Sequence, residues 1–183
     1  NYVMLETGQP LHAFDFDELV KRAEGTPTIT TRLPELGERL TTLDGVEREL
    51  DDFTILVTDS SGALSIGGIM GGSESEVSDV TNNVLIEAAS WNLINIRRSV
   101  QSQQLQSSEA GYRFSRGVHP SLAVRANLRA VEMMRVLSGG IVCQGVVDEY
   151  PVPNPAVEVE LPVSEVERLL GITIPRAEII RIL

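Results

Sequence analysis

The feature that most constrains this chain is a change of residue pattern at Asn92. Before it, short apolar and β-branched runs such as Val84–Ala88 alternate with turn residues. After it, apolar residues recur at helical spacing, at Val124, Leu128, Val131, Met134 and Leu137, and Gly139-Gly140 provides a stop. Strands followed by helices predict an α+β fold, with a mixed, largely antiparallel sheet and helices packed on it.

Local signals predict individual elements of this fold. Asp44-Gly45 lies between two β-prone arms and predicts a hairpin with a type I′ turn. The Gly67–Gly72 run predicts a loop, whereas Ile141–Val147 and Val157–Leu161 have the composition and alternation of strands. The segment Asn1–Thr7 fits either a short helix or a strand.

Domain boundaries are predicted from the stiff segment Pro151–Pro155, which contains three prolines in five residues. We expect one domain over residues 1–150, a Pro-rich linker over 151–155, and the truncated start of a further small domain over 156–183. This last part carries two short amphipathic helices, and the second is unfinished at the chain end.

Composition excludes several classes of protein. The single cysteine, Cys143, rules out an intrachain disulfide framework, and with only two histidines no His/Cys cluster has the spacing of a zinc site. No stretch is long and apolar enough to predict a membrane span. We therefore expect no metal in this chain, no membrane partner and a cytoplasmic location.

The charge is unevenly distributed along the chain. The formal net charge is −11, which taken alone argues against nucleic acid as a partner. Between Trp91 and Ser138, however, there are seven arginines and two acids, so this segment carries +5 and the remainder −16. Arginine suits bidentate phosphate contacts. The segment is either a solvated helical face or a surface that contacts a phosphate backbone.

Three features could carry chemistry, although each has a structural alternative. Glu87 interrupts an apolar strand and shares a face with Leu85, so it points either into an apolar cavity or, on an edge strand, into water. The Gly67–Gly72 run lacks the residues of a phosphate-binding loop and fits either a tight bend or a close backbone approach to a ligand. His12 follows a constrained turn, with no catalytic triad beside it.

Four stretches resemble bacterial phenylalanyl-tRNA synthetase beta subunits and occur in the order which that family shows. They are NYVMLETGQPLHAFD at Asn1–Asp15, LDGVE at Leu43–Glu47, IMGGSESE at Ile69–Glu76 and YRFSRGVHP at Tyr112–Pro120. In that family this region is the editing module, also described as the tRNA-binding B3/B4 module, and it is followed by another small domain.

The resemblance implies a site that hydrolyses the ester of mischarged Tyr-tRNA(Phe). Glu87 matches the position that accepts the tyrosine hydroxyl proton, and the N–H of Gly68 matches a second contact to that hydroxyl. His12 matches the residue near the scissile ester, and Asn1 falls on the pocket wall. Gly67 stands where some relatives carry alanine, a departure expected to enlarge the pocket slightly.

The resemblance also implies partners outside this chain. These are tRNA(Phe), L-tyrosine or mischarged Tyr-tRNA, and an alpha subunit in an α2β2 heterotetramer, with ATP and magnesium used by the full enzyme and no cofactor in this fragment. We expect the RNA contacts at Arg97, Arg98, Arg113 and Arg116. Two alternatives stay open: a non-catalytic domain that docks tRNA, and a stand-alone hydrolase of small molecules.

Overall fold

A computed structural model describes residues 1–23 and 25–183. The helices are α1 Tyr2–Thr7, α2 Phe16–Ala23, α3 Leu93–Ser102, α4 Glu109–Phe114, α5 Leu122–Ser138, α6 Val163–Leu170 and α7 Arg176–Ile182. The strands are β1 His12–Asp15, β2 Thr30–Arg32, β3 Arg39–Thr41, β4 Glu47–Glu49, β5 Leu56–Thr58, β6 Ala63–Ile66, β7 Met70–Gly71 and β8 Val84–Glu87, and a 3₁₀ turn covers Ser73–Ser75. The predicted α+β class is confirmed.

The contacts within the chain divide it into two units, Asn1–Cys143 and Gln144–Leu183. All eight strands and α1 to α5 lie in the first unit, and the second contains α6 and α7. The segment 151–155 therefore lies inside the second unit, and the domain ranges drawn from it stay a prediction.

The strands of the first unit form three antiparallel ladders rather than one continuous sheet. These have the orders β1-β8, β2-β5-β6-β7 and β3-β4. The ladder of β1 and β8 joins the beginning of the chain to the strand that precedes the helices, with His12 opposite Glu87 and Asp15 opposite Val84. This long-range pairing positions the candidate site.

Local chemistry explains where the helices begin and end. The side chain of Asn92 accepts hydrogen bonds from the N–H groups of Ile94 and Asn95, which caps the start of α3. Gly139 ends α5 with a φ of 69°, a left-handed conformation that glycine adopts without steric cost. The change of pattern at Asn92 and the stop at Gly139-Gly140 were both predicted from the sequence, and the segment Asn1–Thr7 proves to be helical from Tyr2 onward.

Alternation along β8 places the ladder between two apolar clusters. Leu85 packs against the cluster of Phe14, Leu19, Val57 and Leu64. Ile86, one residue later, packs against the cluster of Val3, Ala126 and Ala130, which α1 and α5 supply. Successive strand residues point to opposite faces, so Glu87 lies on the Leu85 face.

The predicted turn at Asp44-Gly45 was wrong in type. A type I′ turn requires positive φ at both central residues. Gly45 has a φ of 77°, but among the described residues Gln104 is the only non-glycine with positive φ. The N–H of Gly45 instead donates to the carbonyl of Thr42 at 2.8 Å, so the hairpin turns over a longer loop between β3 and β4.

Two predicted strands are absent and one predicted loop contains a strand. Ile141–Val147 and Val157–Leu161 are exposed and have no regular structure, because no strand of the described residues offers them a ladder of hydrogen bonds. The Gly67–Gly72 run is not wholly a loop, since Met70–Gly71 forms β7 and pairs with β6. Alternation alone therefore does not make a strand without a pairing partner.

Candidate functional site

The candidate site begins with the cross-strand pair of His12 and Glu87. The two residues are directly opposite each other in the antiparallel ladder of β1 and β8. Residues opposite each other in such a ladder project from the same face, with Cβ atoms about 5 Å apart. The structure thus brings together two of the site residues predicted from the sequence, one at each end of a long stretch of chain.

Glu87 carries a carboxylate that is withdrawn from solvent. The residue as a whole is half-buried, yet its Oε2 atom has no solvent access and no hydrogen-bond partner within the described residues. Loss of solvation raises the pKa of this carboxyl from 4.5 to about 7. Near neutral pH the group is therefore divided between its acid and its carboxylate forms.

His12 is buried in the same way on the neighbouring strand. Its Nε2 atom is inaccessible and makes no hydrogen bond with any described residue, so it does not pair with Glu87. Burial lowers the pKa of the imidazole below 6.5, which favours the neutral ring at pH 7. The ring meets the edge of Phe14 at a centroid distance of 4.4 Å and an angle of 76°.

Two buried polar atoms on one face that do not satisfy each other are unusual. Buried polar groups in folded proteins nearly always have a partner, and an unpaired one costs roughly 1–3 kcal/mol. The ladder therefore carries two buried atoms without a protein partner on the same side, Oε2 of Glu87 and Nε2 of His12.

The glycine run lies against this face and against Trp91. A Cβ built on Gly71 would be 2.4 Å from Cε1 of His12. A Cβ on Gly67 would be 2.7 Å from two carbons of the Trp91 six-membered ring, and one on Gly68 would be 2.5 Å from Trp91 Cδ1. These separations are too short for any side chain, so glycine is needed here for close packing. The space beside Gly67 is occupied by Trp91.

Gly68 differs from its neighbours in its backbone. Its φ is +70°, and its N–H has no acceptor among the described residues. In contrast, the N–H of Gly67 donates to the carbonyl of Ile55 and that of Gly72 to the carbonyl of Leu64, each at 2.8 Å. Gly68 therefore differs from Gly67 and Gly72 in having a backbone N–H without an acceptor among the described residues.

Gln9 is a further polar residue of this region that sequence reasoning missed. Its side chain is fully buried, and its Nε2 donates to the carbonyls of Pro10 at 2.9 Å and Ala89 at 2.8 Å. Its Oε1 has no partner within the described residues. The sequence indicated only a turn before His12, and no pattern signalled that Gln9 would hydrogen-bond the segment that follows Glu87.

Comparison with known proteins places this arrangement in a family. Residues 1–139 match the sequence model of the B3/4 domain family. The chain belongs to the B3/4 domain family. That match covers the ladder of β1 and β8, the glycine run and the helices α3 and α4, so every candidate residue described above lies within it.

Individual relatives extend the similarity across the chain. It is 44% identical over 171 residues to the phenylalanine–tRNA ligase beta subunit of Moorella thermoacetica, covering 93% of this chain and 20% of that protein. It is 40% identical over 183 residues to that of Salinibacter ruber, covering 100% and 21% respectively. For the Dehalococcoides mccartyi protein the identity is 41% over 172 residues, covering 94% and 20%.

The chain thus spans about a fifth of the length of these relatives. The resemblance inferred from the four motifs is confirmed, both for the family and for the similarity to beta subunits. The matched range also includes the remaining residues predicted from the sequence, which are Asn1 and the four arginines.

Asn1 lies at the start of the first helix. It is exposed and precedes α1, where its carbonyl accepts a hydrogen bond from the N–H of Leu5 at 3.0 Å. Within the described residues no hydrogen bond joins its side chain to either member of the pair. Helix α1 packs on α5, on the Ile86 face of the ladder.

The four arginines predicted to contact RNA fall into two groups. Arg113 is half-buried and pairs with Glu109 at 2.5 Å. Arg97, Arg98 and Arg116 are exposed, and none of them forms an ion pair with a described residue. The free group is the one with charge available to a phosphate.

Aromatic and carbonyl contacts hold the three free arginines in place. Arg98 lies 4.0 Å from the centre of the Phe53 ring, and Arg116 lies 3.5 Å from that of Tyr112. Arg97 donates from Nε to the carbonyl of Ser115 at 2.6 Å, next to Arg116 in the chain. We call Arg97, Arg98 and Arg116 the free arginine surface.

Other features of the described residues carry no candidate site. Two polar surface clefts of about 360 and 380 Å³ lie around Glu38 and Gly62, and neither is lined by His12 or Glu87. No group of three or more His, Cys, Asp or Glu residues within 1–23 and 25–183 is placed to hold a metal ion. None of the helices in those ranges is long and apolar enough to cross a membrane.

Proposed function

We propose that this chain is the editing module of a phenylalanyl-tRNA synthetase beta subunit and hydrolyses the ester of mischarged Tyr-tRNA(Phe). The observation that carries the proposal is the unpartnered Oε2 of Glu87 beside the unpartnered Nε2 of His12 on one face of the ladder. The similarity to phenylalanine–tRNA ligase beta subunits supports it, because the chain matches them along nearly its whole length.

Glu87 is the residue that distinguishes tyrosine from phenylalanine in this proposal. The phenolic O–H of tyrosine donates to the Glu87 carboxylate, which otherwise has no partner for Oε2 among the described residues. Phenylalanine offers no donor, so binding it would leave the carboxylate both desolvated and unpaired. A site built to hydrogen-bond a hydroxyl rejects the analogue without it far more strongly than an apolar pocket rejects an added hydroxyl.

Gly67 and Gly68 form the opposite wall of the proposed pocket. The N–H of Gly68 has no acceptor within the described residues, and in the proposal it donates to the phenolic oxygen. Gly67 and its neighbour must be glycines because Trp91 packs directly on them. Asn1 is proposed to approach the pocket wall from the start of α1, as the family resemblance implies.

His12 is proposed to position the ester and the attacking water. Its pKa is lowered by burial, so the ring is neutral at pH 7 and can accept a hydrogen bond from water or from a ribose hydroxyl. In the hydrolysis the water oxygen bonds to the carbonyl carbon, the ester C–O bond breaks, and the ribose hydroxyl leaves with a proton. An activated ester needs a positioned water more than a strong nucleophile.

The whole-protein context belongs to the same proposal. The full enzyme attaches phenylalanine to tRNA(Phe) with ATP and magnesium, in a synthetic site outside this chain, and pairs with an alpha subunit in the cytoplasm. The module itself needs no cofactor for an ester hydrolysis. The proposed domain ranges are 1–150 for editing, 151–155 for the linker and 156–183 for the start of the next domain.

A second candidate function is a non-catalytic domain that docks tRNA. The observation that favours it is the free arginine surface, which carries three cations without a carboxylate partner in the described residues. Under this candidate, loss of those arginines weakens tRNA binding and lowers hydrolysis only in proportion. Under the editing proposal, Glu87 controls hydrolysis at unchanged tRNA affinity.

The deciding experiment is deacylation of Tyr-tRNA(Phe) by the full enzyme carrying Glu87→Ala. We expect hydrolysis to slow by about tenfold or more, because one charge-assisted hydrogen bond contributes roughly 1.5–3 kcal/mol. Glu158→Ala is the matched control, since Glu158 is exposed and lies in the second unit. Unchanged Tyr-tRNA hydrolysis in the Glu87 variant would remove the role assigned to that residue.

A further inference from the structure

Trp91 is the residue of this region that the function described so far leaves unused. It is the only tryptophan in the chain, and it lies between the end of β8 and the start of α3. It is half-buried and packs against two apolar clusters, one containing Ile69 and the other containing Phe14. Its ring atoms lie close to the positions that Cβ atoms on Gly67 and Gly68 would take.

The indole packs directly against the two glycines. The far carbons of its six-membered ring, Cη2 and Cζ3, are each 2.7 Å from the point where a Cβ on Gly67 would lie. Its five-membered ring covers the next residue, with Cδ1 at 2.5 Å and Nε1 at 2.8 Å from the corresponding point on Gly68. A large ring opposite two absent side chains is a size-matched packing arrangement.

The segment that carries Trp91 is held on both sides. The carbonyl of Ala89 accepts a hydrogen bond from the buried Gln9 side chain at 2.8 Å. The side chain of Asn92 caps α3. Among the described residues, however, no hydrogen bond involves Trp91 Nε1. The indole N–H is therefore without a protein acceptor, and it is not among the atoms that are closed off from solvent.

Trp91 and Gly68 are thus adjacent residues in space, and neither the N–H of Gly68 nor the indole N–H has an acceptor among the described residues. Trp91 and Leu85 pack against the same apolar cluster, on the face of β8 that also carries Glu87. A phenolic hydroxyl matches such a set, because it can donate one hydrogen bond while its oxygen accepts others. The phenyl ring of phenylalanine has no hydroxyl and can form a hydrogen bond of this kind with none of the three groups.

We propose that Trp91 is a second specificity-determining residue of the pocket, whose indole N–H donates to the phenolic oxygen of bound tyrosine. The proposal rests on the editing function and adds to it a donor on the side chain. The ring has a further effect, since it covers Gly67 and Gly68 and keeps the Gly68 N–H in the orientation that the pocket requires.

The experiment observes the single indole N–H directly. In a ¹⁵N–¹H correlation spectrum of the chain, L-tyrosine should move this cross-peak downfield, as a new hydrogen bond to its proton requires. L-Phenylalanine, added at the same concentration, should leave the peak at its original position. An indole peak that stays still while tyrosine saturates the chain by calorimetry would overturn the proposal.

Substitutions distinguish the contribution of the Trp91 N–H from that of the packing of its ring on the glycines. Trp91→Phe keeps an aromatic ring over the glycines and removes the N–H, and we expect tyrosine affinity to fall roughly fivefold with phenylalanine affinity unchanged. Gly67→Ala instead displaces the Trp91 ring. It should weaken tyrosine binding in the wild-type background but much less in the Trp91→Phe background, where no indole N–H is left to be displaced. Equal tyrosine affinities for wild type and Trp91→Phe would contradict the assigned donor.

Glu87→Ala distinguishes a failure of this inference from a failure of the editing function. If Glu87→Ala abolishes tyrosine binding and Trp91→Phe does not weaken it, only the role of Trp91 is wrong. If Glu87→Ala binds tyrosine as the wild type does, the recognition of tyrosine by this pocket is itself wrong.

Discussion

At the scale of single residues, the chain keeps two buried polar groups without hydrogen-bond partners, which lowers the stability of the fold. Glu87 keeps a carboxylate oxygen buried and unpaired, and His12 keeps a ring nitrogen in the same state on the adjacent strand. The two groups form no hydrogen bond with each other. Burial raises the pKa of Glu87 and lowers the pKa of His12, so that each shift favours the uncharged form. A fold that carries such groups loses stability, as binding sites generally do.

The shifted pKa of Glu87 predicts how stability depends on pH. The folded protein holds the Glu87 proton up to about pH 7, whereas the unfolded chain releases it near 4.5. The folded state therefore binds more protons in this window, and the free energy of unfolding falls as the pH rises through it. One pKa unit corresponds to about 1.4 kcal/mol, so the loss is about 3 kcal/mol.

Denaturant unfolding of Glu87→Gln at several pH values measures this effect. Relative to the wild type, the variant should gain about 3 kcal/mol of unfolding free energy between pH 4.5 and pH 7.5, because it has no proton to lose. Glu158→Gln is the exposed control and should follow the wild type. Parallel curves for wild type and Glu87→Gln would show that the carboxyl is not desolvated.

At the scale of elements, the hairpin of β6 and β7 holds the glycine run against the site. A Cβ on Gly72 would lie 2.5 Å from the carbonyl oxygen of Leu64, a backbone atom that cannot rotate away. Gly72→Ala should therefore destabilise the fold by about 1–3 kcal/mol. Gly25→Ala should change little, since its Cβ would meet only an oxygen at 3.9 Å. Equal midpoints in thermal unfolding would contradict this account of the hairpin.

The sequence predicted those parts of the fold that depend on near neighbours. The change to helix at Asn92, the end of α5 at Gly139 and the face shared by Leu85 and Glu87 all follow from local chemistry and period. The strand predicted at Ile141–Val147 failed because pairing needs a partner strand, which alternation does not supply.

The candidate site, too, was predicted from the sequence only in part. The residue types of His12 and Glu87 drew attention to them, and the family resemblance gave them roles. Their placement opposite each other, however, follows from a long-range pairing that no local pattern encodes. The contact of Trp91 with Gly67 and Gly68, and the tether from Gln9 to Ala89, likewise depend on tertiary packing.

At the scale of the whole molecule, charge is segregated along the chain. The segment 91–138 carries +5 within a chain of net −11. Arg113, Arg129 and Arg135 are used in ion pairs, whereas Arg125 and the free arginine surface have no carboxylate partner among the described residues. The free arginine surface is the better candidate for phosphate contact, because aromatic or carbonyl contacts hold its three side chains. Acidic surroundings would discourage non-specific binding of nucleic acid elsewhere on the protein.

Replacing Arg97, Arg98 and Arg116 together by alanine tests this surface in the full enzyme. We expect weaker binding of tRNA(Phe). We also expect the plot of log binding constant against log salt concentration to become less steep by about 2–3, roughly one for each phosphate that an arginine no longer neutralises. Arg135, Arg168 and Arg181 provide a control with the same change of charge, because each is paired with a glutamate. Equal slopes for the two triple variants would exclude a specific contact.

The central claim is that the pocket of His12 and Glu87 recognises the tyrosine hydroxyl, and calorimetric titration of the chain with L-tyrosine and L-phenylalanine tests it most directly. We predict that tyrosine binds, that phenylalanine binds at least tenfold more weakly, and that Glu87→Ala removes the difference. Equal affinities for the two amino acids in the wild type, or a preference that survives Glu87→Ala, would contradict the claim.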